Sequence, residues 1–347
     1  MQFYNNMNTQ NNYNYQLFEA QKLEKKALWT NASKLGALLL IYNLLSSVFL
    51  YVYYYGVYIY KNHSFTISWY AVRKYLASQT DMISSTTFSM LGNTIIVFCS
   101  LLCTMLAARF IMNVDFSQML KPHKGHGKQA VKWLPVCMSF NFIASFAISF
   151  FTVFMNNMGV TVPETDLSIH NPTAAAVIIQ IFYVVILGPI AEEMIYRGLI
   201  LTLLKPFGKW MAVIVSALFF GLMHGNVSQA AAGIAGALIF GLVAIHCNSI
   251  VPTIIIHILN NMIVTYSDLC NAFDWPLSVY YGLMIIIFLV GVYFIFTKLW
   301  QLKIRDDKCY ALSPARRYLT VFTNIFIVIY VLYLLSIFIK SFYFANM

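Results

Sequence analysis

The chain has 347 residues, of which 60% are hydrophobic and only 10% charged, with a formal net charge of +10. A soluble domain carries about 25% charged residues, so this composition excludes a soluble globular protein. The excess of positive charge lies in short loops between apolar runs, which is the pattern that orients a membrane protein and argues against nucleic acid as a partner.

In chain order, the first residues, MQFYNNMNTQNNYNYQ, are polar and lack the apolar stretch of a signal peptide. They read as a disordered tail. The basic segment 19–34 that follows is helical in propensity and is expected along the membrane surface. Apolar runs then predict spans near 35–60, 88–112, 133–155, 174–204, 210–225, 229–247, 249–267, 277–297 and 318–343. The fold class is therefore all-α, a polytopic membrane protein of about eight or nine transmembrane helices with a site in the bundle core. Four regions follow: residues 1–34, the tail and amphipathic segment; 35–170, N-terminal transmembrane helices; 171–267, the core; and 268–347, C-terminal transmembrane helices.

Lysines and arginines cluster around 22–34, 121–132, 205–209 and 298–317, whereas of the loops between these only the first carries basic residues, Lys61, Arg73 and Lys74, and the later ones carry Glu164, Asp166, Asp268 and Asp274. This alternation places the N-terminus in the cytoplasm. Small residues recur four apart in 229-QAAAGIAGALIFG-241, at Ala232 and Gly236 and at Gly233 and Ala237, a spacing that lets helices approach closely. The six cysteines are scattered without a CxxC pair, so neither disulfides nor a cysteine-held metal is expected.

Ionisable residues inside spans are costly and usually functional. Apart from Arg109 and Lys340 near span ends, they gather in one block: Glu192, Glu193 and Arg197, then His224, then His257 with Asn260 and Asn261. At about 1.5 Å per residue, Glu192 and His224 both lie roughly 20 Å from the turn at 205–209, and His257 and Asn261 about 12 and 18 Å above the same membrane face. Glu193 and Arg197 are four apart and predict an ion pair. Glu192 is turned about 100° from Glu193 and is free to face a wet cavity. Two carboxyl groups in such different surroundings suit acid/base chemistry. His257 and Asn261, also four apart, can aim an imidazole and an amide at one developing oxyanion. His246 has no motif around it and reads as structural. His123 and His126 sit in a charged loop and read as solvated surface.

The three patterns, Glu192-Glu193-x-x-x-Arg197, Phe220-x-x-x-His224 and His257-x-x-x-Asn261, resemble the signature motifs of the CPBP family. These are the CAAX prenyl endopeptidases and the bacteriocin-processing or bacteriocin-immunity (Abi) proteins. The resemblance covers residues 174–267. It implies an intramembrane endopeptidase in which Glu192 and His224 activate water, Glu193 held by Arg197 supports the site, His257 and Asn261 stabilise the oxyanion, and Phe220 packs or lines the substrate path. The family is described both as glutamate-dependent, needing no cofactor, and as metal-dependent. One glutamate and two histidines also suit zinc with an open water position, so the metal stays unassigned.

The absence of HExxH, GxSG and GxGD disfavours zincin, rhomboid-like and presenilin-like chemistry. A non-catalytic peptide-binding or immunity protein and a proton-coupled transporter are the competing readings. The expected partners are the lipid bilayer and a peptide or membrane-associated protein. The bias of lysine over arginine and the abundance of Asn, Ile and Tyr suggest a bacterial cell membrane.

Overall fold

The structure is a computed structural model that describes residues 2–345 except 67, 80–81, 83–84, 164–172 and 307, with side-chain surroundings described within 14–343. Glu164 and Asp166 therefore lie outside the described residues. Among the described residues there are helices and no strands. In hydrocarbon this is the expected outcome, because a helix satisfies its own backbone groups.

Eleven helices carry the architecture: α1 Gln2–Asn62, α2 Trp69–Ala77, α3 Thr86–Leu106, α4 His126–Asn157, α5 Ala174–Phe207, α6 Lys209–Leu222, α7 Val227–Cys247, α8 Val251–Ala272, α9 Ser278–Lys298, α10 Pro314–Phe322 and α11 Ile325–Ala345. Each expected span falls on one of them, except 318–343, which is divided between α10 and α11. Seven are long and apolar enough to cross a membrane. The two expected spans not among the seven are α6, with 14 residues, and α8, where His257, Asn260, Asn261 and Asp268 interrupt the apolar run.

The polar first residues differ from expectation. They are not a disordered tail but the first turns of the 61-residue α1. No glycine or proline occurs before Gly36, so no residue in the segment breaks a helix that its neighbours propagate. The basic segment 19–34 is likewise continuous with the first span, with Leu28, Ala32 and Leu35 fully buried.

The small residues of α7 serve close packing, as their spacing predicted. A Cβ added at Gly221 of α6 would lie 2.6 Å from the Ala230 carbonyl, and one at Gly236 would lie 2.2 Å from Asn141 Oδ1 of α4. At these two crossings only hydrogen fits, so α7 sits tightly against both neighbours.

The basic loops meet at one end of the bundle, referred to below as the basic end. Lys209 donates from its backbone to Asp306 Oδ1 (2.8 Å) and from Nζ to the Arg305 carbonyl (2.8 Å). Arg317 donates to the Phe207 carbonyl, and Glu24 Oε2 accepts from the backbone of Ala311 at 2.7 Å. Ser249 Oγ and the Ile250 N–H both reach the Met119 carbonyl. The loops at 113–125, 205–209, 248–250 and 303–313 are thus joined to one another and to the lower part of α1. Arg109 pairs with Asp115 at 3.2 Å at the end of its span. His126, expected on a solvated surface, is instead buried at the start of α4, where its Nδ1 accepts from the His123 N–H at 3.3 Å; His123 is exposed.

Candidate active site

Helix α5 is not a uniform α-helix. It widens into π-helical turns over Ile181–Leu187 and Met194–Leu199, immediately before and after the segment Gly188–Glu193 that carries both glutamates. Such turns are frequent at functional sites. The first has a readable local cause. The Gly188 N–H bonds to the Tyr183 carbonyl, a five-residue step. The next donor in that register is residue 189, a proline with no N–H. The Val184 carbonyl is thereby left without its helical partner, and Asn261 Nδ2 of α8 supplies the missing bond at 2.8 Å. In the second turn, Ser216 Oγ of α6 donates to the Tyr196 carbonyl at 2.6 Å. Side chains from two neighbouring helices therefore tie down the two irregular turns around the glutamates.

The predicted ion pair is present. Arg197 Nη1 donates to Glu193 Oε1 at 2.7 Å, and both side chains are 0% exposed. The guanidinium lies between two aromatic rings, 4.3 Å from the centroid of Phe220 and 5.0 Å from that of Phe240. Arg197 Nε and Nη2 have no hydrogen-bond partner. The π faces and one carboxylate are what hold this cation out of water.

His257 extends the chain of contacts. Its Nδ1 lies 3.1 Å from Glu193 Oε1, an oxygen that already accepts from Arg197, and its Nε2 lies 3.6 Å from Glu192 Oε2. One imidazole thus stands between the two glutamates. Because Glu193 Oε1 is the acceptor, Nδ1 is the donor, and Nε2 is the nitrogen turned toward Glu192. His224 is oriented in a comparable way. Its Nδ1 is 2.9 Å from the Phe220 carbonyl, which only accepts, so the proton sits on Nδ1 and the lone pair on Nε2. Asn260 Nδ2 donates to Asn261 Oδ1 at 3.1 Å, which fixes the Asn261 amide with its nitrogen toward Val184.

A cavity of about 580 Å³ reaches this site, within the range of ligand pockets. Its lining includes Glu192, Phe220, His224, His257, Asn260 and Asn261, together with Tyr183 and Phe240. Glu193 and Arg197 do not line it. The 26% exposed Glu192 side chain faces the cavity while its neighbour lies behind the wall. Six of the seven site residues chosen from the sequence are in mutual contact or share this cavity, and Phe220 takes both a packing and a lining position. His246 is exposed and does not line the cavity.

A zinc ion would draw its ligands from Glu192, His224 and His257. Among the described residues no group of three or more His, Cys, Asp or Glu side chains is arranged to hold a metal ion. The residues as placed do not fit the ion.

Three contributors escape sequence reasoning: Phe240, Ser216 and the Val184 carbonyl. Nothing in the sequence marks Phe240 or Ser216 among many apolar and small neighbours. Pro189 is the signal that would have exposed Val184, since a proline strips a helix carbonyl of its donor.

The fold and the site define a multi-pass helical membrane protein whose core is similar to membrane-embedded peptide hydrolases. Residues 174–263, about a quarter of the chain, match the family described as type II CAAX prenyl endopeptidase Rce1-like. All seven candidate residues fall inside this match, which coincides with the stretch that carries the three motifs. No curated protein and no solved structure matches the chain.

Proposed function

We propose that this protein is an intramembrane endopeptidase that hydrolyses a peptide bond with a water molecule activated by Glu192 and His224. One observation carries this reading: Arg197, Glu193, His257 and Glu192 form one continuous chain of contacts, and only its last carboxylate opens to the cavity.

The roles follow from the donors and acceptors available. Glu192 and the His224 Nε2 lone pair are two acceptors that orient one water, and Glu192 takes its proton as the oxygen attacks the carbonyl carbon. The tetrahedral oxyanion is met by the second Asn261 amide hydrogen, while His257, whose Nδ1 hydrogen is committed to Glu193, forms the wall beside it. Glu192 then returns the proton to the departing nitrogen. Glu193 keeps His257 in register, and Arg197 keeps Glu193 charged. No acyl-enzyme forms, because no nucleophilic side chain stands among these residues. The mechanism needs no cofactor. The substrate is a peptide or a membrane-associated protein, and the basic end faces the cytoplasm of a bacterial cell, as the lysine distribution supports.

The test is cleavage of a quenched peptide library by purified protein in detergent, with Glu192→Ala and a strong chelator as comparisons. Cleavage lost in the variant and unaffected by chelator is the expected result. Loss under chelator, restored by zinc, replaces it with a metallopeptidase. Equal cleavage by wild type and variant sinks the assignment, and cleavage by neither returns the protein to the peptide-binding or transport classes.

A further inference from the structure

The cavity is one-sided. Helices α4, α5, α6, α7, α8 and α9 all have one terminus at the basic end, and on each the lining residues begin at least four residues in from that terminus and extend away from it. The lining residues nearest the basic end are Met138, Glu192, Phe220, Phe240, His257 and Met284, one per helix. Below that level the core is packed shut, with Trp133, Leu199, Val215, Ala244 and Thr253 all 0% exposed. The glutamates and histidines therefore form the floor of a cavity that rises toward the opposite end. Along α8 the lining runs from His257 to Asp268, about 16 Å at helical rise, the reach of roughly five extended residues. Among the described residues the wall includes the carboxylates Glu192 and Asp268 and no lysine or arginine.

We infer that substrate reaches the glutamates from the end of the bundle opposite the basic loops, as a neutral or cationic extended segment on the outer face of the membrane. The direction of access relative to the basic loops rests on the cavity alone, and its assignment to the outer face rests on the lysine distribution. The identity of what enters rests on the peptidase reading above. The proposal departs from what a lipid-anchored protein on the cytoplasmic face would need, since the basic end is where the core is sealed.

The test uses membrane vesicles of each orientation and a maleimide that cannot cross a bilayer. Cys309 is native, exposed and located among the basic loops, so its labelling reports which face is outward. Ala232→Cys, a small substitution in the cavity wall, is the main probe, and His224→Cys is a second at the floor. We expect the introduced thiols to react where Cys309 is protected and to lose that reaction where Cys309 is labelled. Labelling of both from one face, or of the introduced thiols only after detergent, overturns the proposal. In the same vesicles, a soluble quenched peptide should be cleaved by wild type only where Cys309 is protected. Cleavage where Cys309 is labelled also overturns it. Expected labelling without cleavage in either orientation leaves the access route standing and removes the peptidase reading.

Discussion

Two adjacent glutamates in this protein occupy different solvents. Glu193 is enclosed with Arg197, Phe220 and Phe240, while the side chain of Glu192 is 26% exposed and faces the cavity with His224. The difference arises from a single residue step, about 100° around a helix. It separates a carboxylate sealed in with its counter-charge from one that borders the cavity. His257 touches both and is where the dry half of the site meets the wet half.

The comparison can be broken most severely from the dry side. Arg197→Met leaves the Glu193 carboxylate buried without its counter-charge, and breaking such a pair costs about 3–5 kcal/mol. Denaturation in detergent should show that loss, whereas Glu192→Gln should leave stability near wild type and abolish cleavage. If the two variants lose stability equally, the two glutamates are not in different environments.

A smaller effect is expected at the junction of α5 and α8. Asn261→Leu deprives the Val184 carbonyl of its donor, a loss of about 1–2 kcal/mol for a hydrogen bond in a membrane bundle. Pro189→Ala restores a backbone N–H beside that carbonyl. In that background the stability cost of Asn261→Leu should shrink while its effect on cleavage persists. A double-mutant cycle in stability with no coupling would show that the Val184 contact contributes nothing.

The smallest effect is expected at Phe240→Leu, which removes one of the two rings around Arg197. A cation–π contact of this kind contributes about 0.5–2 kcal/mol. Thermal denaturation should place this variant between wild type and Arg197→Met, with cleavage reduced but present.

Much of this was legible in the chain. The spans follow from apolar run length, and the Glu193–Arg197 pair from a spacing of four. The close crossing of α7 against α4 follows from Gly236. Those signals are local, and a helix expresses them whatever surrounds it. Contacts between helices far apart in sequence were not legible. That His257 would stand between both glutamates depends on the relative rotation of α5 and α8. That rotation is set by packing and by two π-helical turns that no periodicity announces. The order of the first turns of α1 is hidden for a different reason: polar composition suggests disorder, although the segment contains no helix breaker.

The π-helical turns also make α5 a helix without a single wheel. Each adds a residue that the α-helical repeat does not count, so the faces above Ile181, between the turns and below Leu199 are offset from one another. Deleting one residue within Ile181–Leu187 would not shorten the span by much, yet it would turn the upper third by about 100° relative to the glutamates. The wall holding Gln180 and Tyr183 would rotate away from the floor. In this segment residue count acts as an angular setting, and substitutions are open to drift in a way that insertions and deletions are not.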